Sequence, residues 1–214
     1  MNLQAVIFDF DGTMVDTESC AYDAWAEIYQ EFGCQLPLSE WQRCVGASYS
    51  AFDPVDYLSQ LSGQEHDRDA LMARKNAVKS ERADQSPLLP GVQELIIEAQ
   101  NIGLKLAVAS SSPYDWVHHH LTRTGLRDLF PIVVTKEDVK RVKPDPQIFL
   151  TAAERLEIAP SACLVLEDSL NGILAAKKAG MVCVAVPGPI TKSLDFSTAD
   201  IRLGSLLELN LKSL

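Results

Sequence analysis

The chain has 214 residues, of which 47% are hydrophobic and 22% charged, and its formal net charge is −10. That composition belongs to an ordinary globular protein of one or two domains, and an acidic balance with no cluster of Lys and Arg excludes a nucleic-acid footprint. No apolar run approaches the ~20 residues of a membrane span and no signal peptide is evident; the five cysteines (Cys20, Cys34, Cys44, Cys163, Cys183) contain no Cys-x-x-Cys pair, so reduced thiols in a cytoplasmic protein are expected.

The first element is the apolar run Ala5-Val6-Ile7-Phe8, short, branched and aromatic, which reads as a strand buried on both faces. It runs directly into Asp9-Phe10-Asp11-Gly12-Thr13. From Thr17 the period becomes helical: Ala21, Ala24-Trp25, Ile28-Tyr29 and Phe32 recur at three and four, and Gly33 closes the run. Helices are expected near 39–45, 54–61 and 66–83, and the stretch 15–85 shows no strand pattern. From Pro90-Gly91 strands and helices alternate: helix 92–101, strand 104–109, helix 114–124, strand 132–134, helix 146–156, strand 163–166, helix 171–179, strand 181–186 and a short strand at 200–203. This alternation implies an α/β protein, a doubly wound Rossmann-like parallel sheet with helices on both faces. A small all-α cap, residues 15–85, is inserted after strand 1 into a core made of 1–14 and 86–214. Lids of this kind gate access to a site.

Three strands end in groups suited to a phosphate and a cation, and in a parallel sheet all three ends lie on one edge. The first gives Asp9 and Asp11, two apart and able to reach one bound group; the second gives Ser110; the fourth gives Glu167 and Asp168. Lys143, in Val-Lys-Pro-Asp-Pro, precedes a helix. Each has an ordinary alternative taken alone: a solvated Asp-Gly turn, a helix N-cap serine, a surface lysine, acids at a helix start. Their joint placement on one edge is what points to a site. His118-His119-His120 looks like a metal cluster by composition, but consecutive helix positions point about 100° apart, so the three do not converge on one ion. Trp25 reads as core, whereas Trp41 and Tyr49 are candidates for the inner face of the cap.

Asp9-x-Asp11-Gly12-Thr13 followed by Val15-Asp16-Thr17-Glu18, then Ser110, Lys143 and Glu167-Asp168, resemble in order the four motifs of the haloacid dehalogenase-like hydrolase superfamily. The helical insertion resembles the cap of its β-phosphoglucomutase-like subfamily. The resemblance implies Mg²⁺-dependent phosphoryl transfer to or from a small phosphorylated metabolite, with no nucleic acid or membrane partner. Asp9 would be the nucleophile and Asp11 the general acid and base. Asp9, the backbone carbonyl of Asp11, Glu167 and Asp168 would hold Mg²⁺, and Gly12, Thr13, Ser110, Ser111 and Lys143 the phosphoryl group. Cap residues Glu18, Tyr22, Tyr49 and Lys75 would meet the substrate. Sugar phosphomutases of the subfamily carry a His where this chain has Ala21 and an Arg where it has Tyr49, although Lys75 does match their cap. A phosphatase is therefore expected, with a sugar phosphomutase as the alternative and a non-catalytic phosphate-binding protein behind both.

Overall fold

The computed structural model describes residues 2–46 and 52–214. Six strands, β1 (Ala5–Phe8), β2 (Lys105–Ala109), β3 (Ile132–Val134), β4 (Cys163–Glu167), β5 (Val182–Ala185) and β6 (Ile201–Arg202), form one sheet in the order β3-β2-β1-β4-β5-β6. Every neighbouring pair is parallel. The central position of β1 explains its unbroken apolar run. Alternate residues point to opposite faces: Ala5 and Ile7 pack into a cluster with Ile148, Phe149 and Ile173, while Val6 and Phe8 pack with Leu95, Ile96, Val117 and Leu121. The first cluster lies under α7 (Gln147–Leu156) and α8 (Leu170–Lys178), the second under α5 (Val92–Asn101) and α6 (Tyr114–Arg123). The expected doubly wound architecture is therefore present.

Among the described residues, four helices stand between β1 and α5: α1 (Thr17–Glu31), α2 (Leu38–Trp41), α3 (Pro54–Ser62) and α4 (Arg68–Gln85). They share a separate apolar cluster built on Trp25, Ile28, Tyr29, Leu58 and Leu71, as the helical period of α1 requires. The helix expected over 39–45 stops at Trp41. Beyond it the bonds are of the tight three-residue kind, Arg43 N to Glu40 O (3.2 Å) and Cys44 N to Trp41 O (3.1 Å), so the segment continues as turns to Gly46. α4 begins later than the apolar pattern suggests because Asp67 caps it, accepting from Ala70 N at 3.0 Å.

The helical layer is seated on the sheet domain. Ile190, from the loop after β5, is buried within the helical cluster. Gln42 Nε2 donates to its carbonyl at 2.6 Å and Asn171 Nδ2 donates to Val45 O at 2.8 Å. No helix among the described residues is long and apolar enough to cross a membrane.

Candidate active site

Because β1 lies between β2 and β4, with Phe8 opposite both Val108 and Leu166, the residues that follow meet at one edge. This is the carboxyl edge, at the point where strand order reverses, where open α/β sheets leave a crevice. Asp9, Ser110, Lys143, Glu167 and Asp168 are all buried there. Glu167 accepts from Ser169 N and Oγ, both at 2.9 Å, and from Lys143 Nζ at 2.6 Å. Lys143 also pairs with Asp9. One carboxylate oxygen from each of Asp9, Glu167 and Asp168 lies within 4.8 Å of the others.

Burial pushes the Asp9 carboxyl well above its ordinary range; Lys143 opposes the shift and Glu167 adds to it. Burial and the like charges of Glu167 and Asp9 do the same to Asp168. Burial would lower the Lys143 pKa, but Asp9 and Glu167 outweigh it and raise the group above its ordinary value. Three carboxylates against one ammonium is a set that a hard divalent cation with oxygen ligands completes. Two glycines make room for it. A Cβ on Gly12, whose φ is +79°, would stand 2.1 Å from Asp168 Oδ2, and one on Gly172 would stand 1.7 Å from Glu167 Oε1.

Asp11 has different surroundings. Its Oδ1 accepts from Thr17 Oγ1 at 2.6 Å and Trp116 Nε1 at 2.8 Å; its Oδ2 accepts from Ser112 Oγ at 2.6 Å and Ser110 Oγ at 3.3 Å. Lys79 Nζ lies 3.7 Å from Oδ1. Burial alone would raise this carboxyl, but Lys79 and the hydrogen bonds from Ser112, Thr17 and Trp116 outweigh it and hold it below its ordinary value.

A cavity of about 370 Å³ joins the two carboxylates to the helical layer. Asp9, Asp11, Ser110, Ser111 and Lys143 line it from the sheet side, and Glu18, Ala21, Trp41, Lys75 and Lys79 from the helices. The Oγ atoms of Ser111 and Thr13 are buried with no partner among the described residues. Burial raises the Glu18 carboxyl to about 7, opposed by Lys79, and burial with the neighbouring Lys79 lowers Lys75 to about 8. Tyr22 is not among the residues lining this cavity; its hydroxyl donates to Leu36 O at 3.0 Å within the helical layer. Tyr49 lies outside the described residues. Lys79, Ser112 and Trp116 were not anticipated. Lys79 had a readable signal, one helical turn beyond Lys75 on α4; Trp116 had none, since only the fold brings α6 against Asp11.

As expected, His118, His119 and His120 do not all converge on one point. His118 stacks on Tyr114, but ring nitrogens of His119 and His120 do approach a common carboxylate, that of Asp84. Directions about 100° apart converge on a group lying between them. His119 Nε2 is 2.7 Å from Asp84 Oδ1, while His120 Nδ1 accepts from Arg123 Nε at 2.7 Å. The same guanidinium donates to Ala83 O and Ser86 O, so this cluster ties the end of α4 to α6.

The haloacid dehalogenase-like hydrolase profile matches residues 6–186. The chain belongs to this family. It is 41% identical over 209 residues to the YhcW protein of Bacillus subtilis, covering 98% of this chain and 94% of that one. It is 33% identical over 215 residues to hexitol phosphatase B of Escherichia coli, covering 98% and 96%. The solved structure of CbbY from Rhodobacter sphaeroides, in complex with phosphate, superposes with a TM-score of 0.77 at 29% identity, covering 97% and 96% of the two chains. In this haloacid dehalogenase-like hydrolase the sheet edge brings Asp9, Asp11, Ser110 and Lys143 to the cavity wall, with Glu167 and Asp168 buried beside Asp9.

Proposed function

We propose that this hydrolase is a Mg²⁺-dependent phosphomonoesterase acting on a small phosphorylated metabolite through an aspartyl-phosphate on Asp9. The observation that carries the reading is the buried Asp9–Glu167–Asp168 set, in which Asp9 and Glu167 pair with Lys143, while Asp9 and Lys143 line the same cavity as Asp11 and Ser110. Asp9, Glu167, Asp168 and the Asp11 backbone carbonyl would hold the cation, which when bound supplies positive charge against the phosphoryl oxygens. An Asp9 oxygen attacks phosphorus, the bond to the ester oxygen breaks, and Asp11, entering this step in its protonated form, delivers that proton to the departing alkoxide. Water then attacks the phosphoryl group, its proton passes to Asp11, and the bond to Asp9 breaks. Lys143, Ser110 and the free hydroxyl of Ser111 hold phosphoryl oxygens, with Gly12 and Thr13 shaping the turn beside them. Residues 15–85 act as a cap over the core of 1–14 and 86–214. Glu18 and Lys75 meet the leaving group. We place the enzyme in the cytoplasm, where its five free thiols stay reduced.

Ala21 on the cavity wall favours hydrolysis over the mutase alternative. A methyl group supplies none of the hydrogen bonding that ties cap closure to a sugar, so water reaches the phospho-enzyme. Phosphate release across a panel of phosphorylated metabolites tests the reading: it should vanish in EDTA and return with Mg²⁺. Full activity after exhaustive chelation refutes the metal. Conversion of β-glucose 1-phosphate, primed with the 1,6-bisphosphate, into glucose 6-phosphate with negligible free phosphate refutes the phosphatase in favour of the mutase. Tight binding of phosphate esters with no turnover on any of them leaves the non-catalytic binder.

A further inference from the structure

We propose that Trp116 is a positioning residue for Asp11, and that Lys79 holds Trp116 in that role when the helical layer is seated. The inference rests on the acid–base role proposed for Asp11 above. Trp116 projects from α6 in the sheet domain and donates its indole N–H to Asp11 Oδ1 at 2.8 Å. The opposite side of the residue is set by packing: its ring meets His120 edge-to-face at 4.2 Å between centroids, and His120 stacks on Phe10. Lys79, from α4 of the helical layer, lies 4.1 Å from the indole centroid and 3.7 Å from the same Asp11 oxygen. One ammonium thus touches both the carboxylate and the ring that aims it.

The geometry gives the indole a task that the serine and threonine donors do not share. Hydroxyls of Thr17 and Ser112 rotate freely about their C–O bonds and follow the carboxylate. An indole N–H has one direction, fixed by a rigid ring, so it sets the torsion of the carboxyl group rather than adapting to it. A cation over an indole face is held by the ring quadrupole. Lys79 therefore transmits the seating of the helical layer to Asp11 through Trp116. Among the described residues, other charged groups around this cluster are Asp9 on its own strand end, Asp16, Glu18 and Lys75 from the helical layer and its entry, and Arg123 and Asp84 behind His120. None of them donates to Asp11.

The test compares two esters. An alkyl phosphate needs a proton on its leaving oxygen; 4-nitrophenyl phosphate departs as a stable phenolate and does not. Since kcat/KM covers the steps from free enzyme up to loss of the leaving group, it includes the acid step and leaves out the later hydrolysis of the phospho-enzyme. Trp116→Phe keeps a ring for Lys79 and deletes the N–H. We expect kcat/KM for the alkyl ester to fall roughly 10- to 100-fold, a part of what a general acid contributes, and that for 4-nitrophenyl phosphate to fall less than about three-fold. Lys79→Met should give the same bias at smaller size, and it carries the test if Trp116→Phe does not fold. The double variant should be within about two-fold of Trp116→Phe, because the two side chains act as one unit. Equal losses on both esters, no loss, or multiplying effects in the double variant overturn the inference. Failure of the wild type to hydrolyse either ester, or hydrolysis that survives Asp9→Asn, would instead refute the functional reading on which it rests.

Discussion

Gly172→Ala isolates the geometry of the acid cluster from its chemistry. The residue lies in the first turns of α8, where alanine is the better helix former by ~0.8–1.0 kcal/mol, so on local grounds the change stabilises. The added Cβ, however, would stand 1.7 Å from Glu167 Oε1, 1.8 Å from its Cδ and 2.3 Å from Oε2, where ordinary contact begins at 3.4 Å. The carboxylate must retreat by 3.4 − 1.7 = 1.7 Å, more than its short bonds to Ser169 N, Ser169 Oγ and Lys143 Nζ allow. Each hydrogen bond to a charged group contributes ~1.5–3 kcal/mol, so losing one or two exceeds the gain in helix propensity. Losing the hydrogen bonds that orient a metal ligand typically costs ~10–100-fold in affinity. The expected result is a folded but less stable protein whose Mg²⁺ half-saturation for phosphate release rises by that factor. Gly125→Ala is the control. Its φ of +71° makes alanine strained, but nothing lies within 4 Å of the new Cβ, so stability should fall with the Mg²⁺ response unchanged. A Gly172→Ala enzyme with wild-type Mg²⁺ dependence and rate would refute both the clash and the assignment of Glu167 to the cation.

Asp9→Asn should abolish phosphate release, because an amide neither attacks phosphorus nor carries its share of charge, whereas Asp11→Asn should lower the rate by roughly 10²–10⁴ and leave Mg²⁺ binding in place; calorimetric titration of Mg²⁺ into each variant checks the split. His120 is fully buried and its pKa is lowered from 6.5 to about 4, first by burial and then by Arg123 and His119, so the unfolded chain takes up a proton before the folded one as pH falls. Its contribution is therefore complete above pH ~6.5 and is lost down to pH ~4, about 3 kcal/mol in all; urea titrations across that window should show the slope flattened in His120→Phe, and an identical slope refutes it.

What the sequence made legible follows from which signals are local. The buried strand into Asp9-x-Asp11 and the βα alternation after Pro90 are short-range patterns, and they place Asp9, Ser110, Glu167 and Asp168 on one edge without any knowledge of contacts. The helical period of residues 17–32 likewise fixed which side of α1 is buried. The direction of the Tyr22 hydroxyl, toward Leu36 on the neighbouring segment, was not legible because the helical period does not say where a side chain's end turns. Trp116 and Ser112 were invisible for the complementary reason: their partner, Asp11, is about 100 residues away, and nothing in the Ser110-Ser111-Ser112-Pro113 run announces which hydroxyl faces it. Gly172 reads in sequence as an unfavourable residue in a helix, and only the position of Glu167 gives it a purpose.

Asp9 and Asp11 are the same residue type two positions apart, and their surroundings separate them. Asp9 is crowded by Glu167 and Asp168 with a single lysine among the three, so in the bare protein its carboxyl resists ionisation. Asp11 is ringed by neutral donors and Lys79, so its carboxyl ionises readily. Taken literally, that order would make Asp9 the proton carrier and Asp11 the nucleophile. The acid count argues the reverse. A divalent cation would be the largest charge such a cluster could acquire, and it would invert the local preference by stabilising ionised Asp9, Glu167 and Asp168 together. Asp11 presents its side chain to hydroxyls, an indole and Lys79, outside the set of three carboxylates that the cation would neutralise. The division of labour is then set by which carboxylate shares its site with two others, and the experiment that reads it is Mg²⁺ affinity: a large loss in Asp9→Asn and little in Asp11→Asn supports this assignment, and the opposite pattern exchanges the two roles.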